Sequence, residues 1–193
     1  MSDRIGQLTA RLQAHGIDFR SAGGGRTVGA LEPLDVAAAF GFIKVPDNQV
    51  IASYYYSVGN DRHGAVDVLY LILAREKHRQ QVALANLLWR HCGGIDQDRT
   101  EQKHKALLFD CWPSEARNEA GNVDLWVRLR EIAEICIHES IGERLWSSEF
   151  ADALGMGKSA YGEQWAQVVS FARAEIESAI AKADEDILNA LKN

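Results

Sequence analysis

Hydrophobic residues recur along most of this chain at three- and four-residue spacing, which predicts helices rather than strands. Ile5, Leu8, Leu12 and Ile17 give a short amphipathic helix within residues 1–20. Residues 21–28, SAGGGRTV, read as a flexible break. Pro33 opens a helix through Phe40 that Gly41 ends. Pro46 and Asp47 mark a turn, and the next helix starts at Asn48 with Ile51, Tyr54, Tyr55 and Val58 on its apolar side. Gly59-Asn60-Asp61 is another turn. A long helix follows from about Gly64 to His91, burying Val66, Leu69, Leu73, Leu84, Leu87 and Leu88, until Gly93-Gly94 stop it. Residues 95–123 are loop-rich around a short apolar piece, Ala106 to Cys111. Asp124 then caps a helix through Ser140, with Leu125, Leu129, Ile132, Ile135 and Cys136 inward.

The next stretch, Ser147 to Trp165, carries the most specific pattern. Ser147 or Ser148 can cap a short helix whose Phe150, Ala151 and Leu154 face inward. Gly155 supplies a residue able to turn in the left-handed region, and Met156 fills the turn. A second helix starts near Gly157 or Lys158, with Ala160, Tyr161, Trp165 and Val168 on its inner face. Lys158, Ser159, Gly162, Glu163 and Gln167 fall on the outer face, where a helix-turn-helix meets a major groove. A plain helical corner has the same pattern. The periodicity then continues through Val169, Ala172, Ile176, Ile180, Ala183, Ile187 and Leu191, a near-heptad stripe unbroken by Gly or Pro. That stripe either packs back on the chain or pairs with a second copy.

The expected fold is therefore all-α and multi-helical, with a C-terminal helix-turn-helix and a long C-terminal amphipathic helix. The expected segments are an N-terminal helix and linker (1–28), a helical domain (29–123), and a helix-turn-helix domain with the long helix (124–193).

The run LGMGKSAYGEQW resembles the helix-turn-helix segments of bacterial and phage transcription regulators. Over roughly residues 145–175 it is also similar to the C-terminal segment of phage late-gene antitermination (Q-type) proteins, where a small-Lys/Arg-Ser-x-aromatic run ends in Trp. The resemblance implies double-stranded DNA as ligand, RNA polymerase as partner, and neither catalysis nor a cofactor. Glu163 departs from the pattern, since a basic or neutral residue is expected there.

Composition changes this picture in one respect. A 47% hydrophobic and 25% charged chain is ordinary for a globular protein, but its net charge of −6 counts against a simple nucleic-acid coat. Positive charge is local: residues 71–110 carry seven Lys/Arg against five acids. Its densest run, Arg75-Glu76-Lys77-His78-Arg79, is either a solvated face or a second phosphate-contacting surface through Arg75, Lys77 and Arg79. No apolar run approaches the ~20 residues that cross a bilayer, and no signal peptide is visible, so a cytoplasmic location is expected.

Other chemistry is weakly indicated. Cys92, His104, Cys111, Cys136 and His138 are the possible zinc ligands, yet no closely spaced Cys pair exists. Gly23-Gly24-Gly25-Arg26-Thr27 lacks the Lys and preceding strand of a phosphate loop. Tyr54-Tyr55-Tyr56 could stack on bases, although packing between helices suits a run with no interleaved cations. Glu131, Glu134 and Glu139 have solvent-facing spacing, and no catalytic motif is present. A DNA-binding transcription regulator is thus the leading expectation. The alternative is a helical adaptor or inhibitor that binds a host protein and no nucleic acid.

Overall fold

The computed structural model describes residues 6, 7, 10, 46–56, 61–92 and 112–192, with side chains throughout except at 46–48, 88–92 and 190–192. The helix expected over 33–40 and the glycine-rich segment 21–28 lie outside these residues. Among the described residues the chain is α-helical apart from one short hairpin. Its elements are α1 (Pro46–Tyr55), α2 (Arg62–Cys92), β1 (Ala116–Asn118), β2 (Gly121–Val123), α3 (Leu125–Ile141), α4 (Ser147–Ala153), the single turn α5 (Lys158–Ala160), a π-turn (Tyr161–Trp165) and α6 (Ala166–Lys192). None of the described helices is long and apolar enough to cross a membrane.

The chain divides into two compact units, Met1–Val68 with Ala174–Asn193, and Leu69–Arg173. These limits differ from the expected segments 1–28, 29–123 and 124–193. Periodicity locates elements along the chain but carries no information on which of them pack together.

In the first unit Ile51, Ala52, Tyr54 and Tyr56 are buried, as are Ala65, Val66, Ile176, Ala179, Ala183 and Ile187. Tyr54 and Tyr56 are thus core residues, and the Tyr56 hydroxyl donates to the Asp184 carboxylate. The C-terminal stripe is covered within the single chain at Ile176, Ala183 and Ile187. Helix α1 begins at Pro46, two residues earlier than expected, because proline's fixed φ suits a first helical turn. Asp61 starts α2: its Oδ1 accepts from Gly64 N at 2.7 Å. A Cβ at Gly64 would lie 2.2 Å from Asp61 Oδ2, so glycine is what lets the carboxylate close over the helix end.

In the second unit Leu69, Leu73, Leu129, Ile132, Ala133, Cys136, Ile137 and Phe150 are buried. Trp112 is fixed at both backbone groups by α2. Lys77 Nζ donates to its carbonyl at 2.9 Å, and Gln80 Oε1 accepts from its N–H at 2.9 Å. Its ring meets Phe171 edge-on, with centroids 5.2 Å apart. The hairpin pairs Ala116 with Val123, Arg117 with Asn122 and Asn118 with Gly121. It lies inside the region expected to be loop, because strands of three residues are too short to show a period of two.

The C-terminal helical run is continuous from Lys158 to Lys192, with one π-turn in which Ala166 N donates to Tyr161 O. The inner face named from sequence is buried at Tyr161, Trp165, Val168, Val169 and Ala172. Trp165 is among the largest fully buried side chains. Trp165→Ala therefore should lower stability by roughly 3–5 kcal/mol as a core truncation. Trp165→Phe should cost less. Chemical denaturation of the two variants checks this, and an unchanged midpoint for Trp165→Ala contradicts the core assignment.

Candidate nucleic-acid interface

The candidate helix-turn-helix comprises α3, α4 and the run that starts at Lys158. Asp124 caps α3, its Oδ1 accepting from Trp126 N at 2.8 Å and Val127 N at 3.3 Å. The helix ends at Gly142, whose N–H reaches back to the carbonyls of His138 and Glu139. The cap of α4 differs from expectation: Ser147 and Ser148 lie inside the helix, and Trp146 is the capping position. The acceptor is Glu149, whose Oε2 takes the Trp146 N–H at 2.7 Å. A carboxylate three residues into a helix satisfies an otherwise orphan donor and favours the positive helix end.

The turn follows the expected chemistry. Leu154 N donates to Phe150 O, Gly155 N to Asp152 O and Met156 N to Ala151 O, at 2.9–3.1 Å. Gly155 has φ +64°, a conformation that a Cβ penalises by about 1–2 kcal/mol. Phe150, Ala151, Leu154 and Met156 are buried, and the Phe150 and Tyr161 rings lie 5.7 Å apart. Two further groups hold the turn from outside. Arg128, 1% exposed, donates from Nη1 to Leu154 O at 2.6 Å, and Glu119 N donates to Gly155 O at 2.9 Å. The Arg128 cation thus sits at the negative end of α4. Its Nη1 also approaches Glu131 Oε2 at 2.8 Å, an ion pair without directed hydrogen-bond geometry.

The α3–α4 loop is fixed by a buried pair. Glu139 takes Arg173 Nη2 on Oε1 at 2.6 Å and Arg173 Nε on Oε2 at 2.9 Å. Glu139 Oε1 also accepts from Leu145 N at 2.9 Å, while Arg173 Nη2 donates to Leu145 O at 3.2 Å. The guanidinium lies over the Phe150 ring at 5.4 Å. Burial alone lowers the Arg173 pKa, but the hydrogen bonds and charge of Glu139 outweigh it and hold it above its ordinary value. Glu139 thus departs from the solvent-facing position its spacing suggested. Sequence reading missed Glu139, Arg173, Arg128 and Glu119. For Arg128, Glu139 and Arg173 the available signal was that charges fall on the apolar faces of α3 and α6; Glu119 acts through its backbone N–H, which carries no such signal.

Lys158, Ser159, Gly162, Glu163 and Gln167 are all exposed on the second helix. Ser159 Oγ donates to Glu163 Oε1 at 3.0 Å, one helical turn away. The second expected surface is not assembled in the same way. Arg75 and Arg79 are exposed, but Lys77 is 3% exposed and its ammonium is engaged by Trp112 O. The stem and charge of Lys77 are therefore spent inside the unit. Arg79 is paired with Glu76 through two hydrogen bonds of 2.6 and 2.7 Å. The Glu76 carboxyl is held below its usual range, first by the Arg79 guanidinium.

Of the zinc candidates, His104 and Cys111 lie outside the described residues, as does the side chain of Cys92. Cys136 is buried, whereas His138, two residues on, is exposed. Among the described residues no group of three or more His, Cys, Asp or Glu is placed to hold a metal ion. Burial, reinforced by the nearby Glu139 carboxylate, pushes the Cys136 thiol up to about 12. No protein-family model, curated protein or solved structure matches the chain.

Glu139→Ala should destabilise the protein by about 3–5 kcal/mol, toward the lower end because Arg173 keeps some solvent contact. Urea denaturation measures this, and a loss below about 1 kcal/mol would mean that the pair is dispensable. Cys136 should resist iodoacetamide at pH 8, far below its folded pKa, and react only after denaturation. Peptide mass spectrometry before and after adding guanidinium chloride reads this directly.

Proposed function

We propose that this chain binds duplex DNA through its helix-turn-helix and serves as a transcription regulator in the cytoplasm, acting with RNA polymerase as an antitermination factor does. The observation that carries this reading is the division of the second helix. Tyr161, Trp165 and Val168 are buried, while Lys158, Ser159, Gly162, Glu163 and Gln167 are exposed and mostly polar near its start. A recognition helix meets base edges with its N-terminal residues. Few cations flank it, so affinity comes from close polar contacts rather than broad phosphate neutralisation.

A second reading, docking on a protein, is favoured by Trp146. It is 77% exposed in the loop leading into α4, and an aromatic side chain so placed suits an interface anchor. Titration of the purified chain with genomic duplex fragments at several salt concentrations separates the readings. DNA binding that strengthens as salt falls and prefers particular fragments supports regulation; no binding even at low salt leaves the protein-docking reading.

Lys158→Ala should weaken duplex binding on all sequences, and Gln167→Ala should relax base preference. Each effect should be roughly 1–3 kcal/mol for a direct contact. Fluorescence anisotropy with matched duplexes measures both. Unchanged affinity and preference in both variants would remove this helix from the interface.

A further inference from the structure

The geometry points to Glu163, held by Ser159, as a side chain that reads a cytosine in the major groove; this rests on the DNA-binding reading above. A carboxylate on a recognition surface is unfavourable beside phosphates unless a base-edge donor meets it. Glu163 is exposed, and the Ser159 hydroxyl donates to its Oε1 at 3.0 Å from one helical turn earlier. That bond restricts the carboxylate and leaves Oε2 as the atom to accept from a ligand. The major groove offers two donors, the N4 amine of cytosine and the N6 amine of adenine. On adenine the amine lies beside the N7 acceptor, which repels a carboxylate. Guanine and thymine offer acceptors alone. Cytosine is therefore the base that suits an acceptor-only side chain.

The surroundings agree with close approach. Gly162 precedes Glu163 within the π-turn, and a Cβ there would meet nothing within 4 Å. Glycine inside a helix is destabilising by roughly 0.5–1 kcal/mol, yet its missing side chain lets a base edge come near the backbone. Lys158 is exposed at the beginning of the same helical run, where an ammonium can offset the repulsion between Glu163 and the phosphates.

Selection from a randomised duplex library, using the full chain, tests this. The wild type should enrich a site containing a C·G pair. Glu163→Gln should move that position toward A·T, since an amide matches adenine N6 and N7, changing the preference there about tenfold. Ser159→Ala should weaken the C·G preference at the same position and leave the others alone. Both side chains are exposed, so melting temperatures should match the wild type. An identical enriched site for wild type and Glu163→Gln overturns the assignment while leaving DNA binding in place. Binding with no enriched site overturns base reading altogether. Absence of any binding removes both this inference and the reading on which it rests.

Discussion

The approach to the turn in the second unit depends on one charge pair, with Glu139 buried and Arg173 largely so. Glu139 and Arg173 are thirty-four residues apart, yet their side chains meet through two hydrogen bonds. Both also bind the backbone of Leu145, which fixes the loop between α3 and α4. Buried charges are tolerable when their lone pairs and protons are matched, and here the guanidinium and carboxylate match each other in a fork. The same guanidinium lies over the Phe150 ring, so the pair joins α6, α3 and α4 at one place. The path of the chain into α4 and the turn after it follows from these contacts.

The turn itself is secured by a different set of contacts. Two of its carbonyls, at Leu154 and Gly155, are taken by Arg128 and by the hairpin N–H of Glu119. A helix end normally leaves such carbonyls to solvent. Here a buried cation and a strand turn hold them, so the direction in which the second helix leaves Gly157 is set from two sides. Asn118 stands within 3.9 Å of where a Cβ on Gly155 would lie, which places the hairpin against the turn. A hairpin of two three-residue strands thereby contributes to the presentation of Lys158 and Ser159.

This arrangement has an electrostatic consequence. Lys77, Arg128 and Arg173 direct their charge inward, and Arg79 is paired with Glu76. A chain of net charge −6 with several cations committed internally has little positive field to offer a polyanion. Any contact with DNA through α5 and the π-turn must rely on matched hydrogen bonds at short range. The exposed Trp146 offers apolar area of the kind that protein interfaces use.

Among the described residues, periodicity together with cap and turn residues located the helices, because an apolar stripe has only one way to be buried on each element. The limits of α2 and α3, the Asp124 cap, the left-handed Gly155 and the inward Tyr161 and Trp165 were all legible in this way. So was the exposure of Lys158, Ser159, Gly162, Glu163 and Gln167, which occupy the opposite side of the same helix. The tertiary structure alone decided which charges are buried. Arg128, Glu139 and Lys77 look like surface residues until groups distant in sequence arrive to meet them, Leu154 O at Arg128 Nη1, Arg173 at Glu139 and Trp112 O at Lys77. The hairpin was equally illegible, since three-residue strands acquire their identity from the pairing and from the Gly155 carbonyl that Glu119 meets. Local pattern fixes which side of a helix is apolar; long-range hydrogen bonding determines where a charge is allowed to go inside.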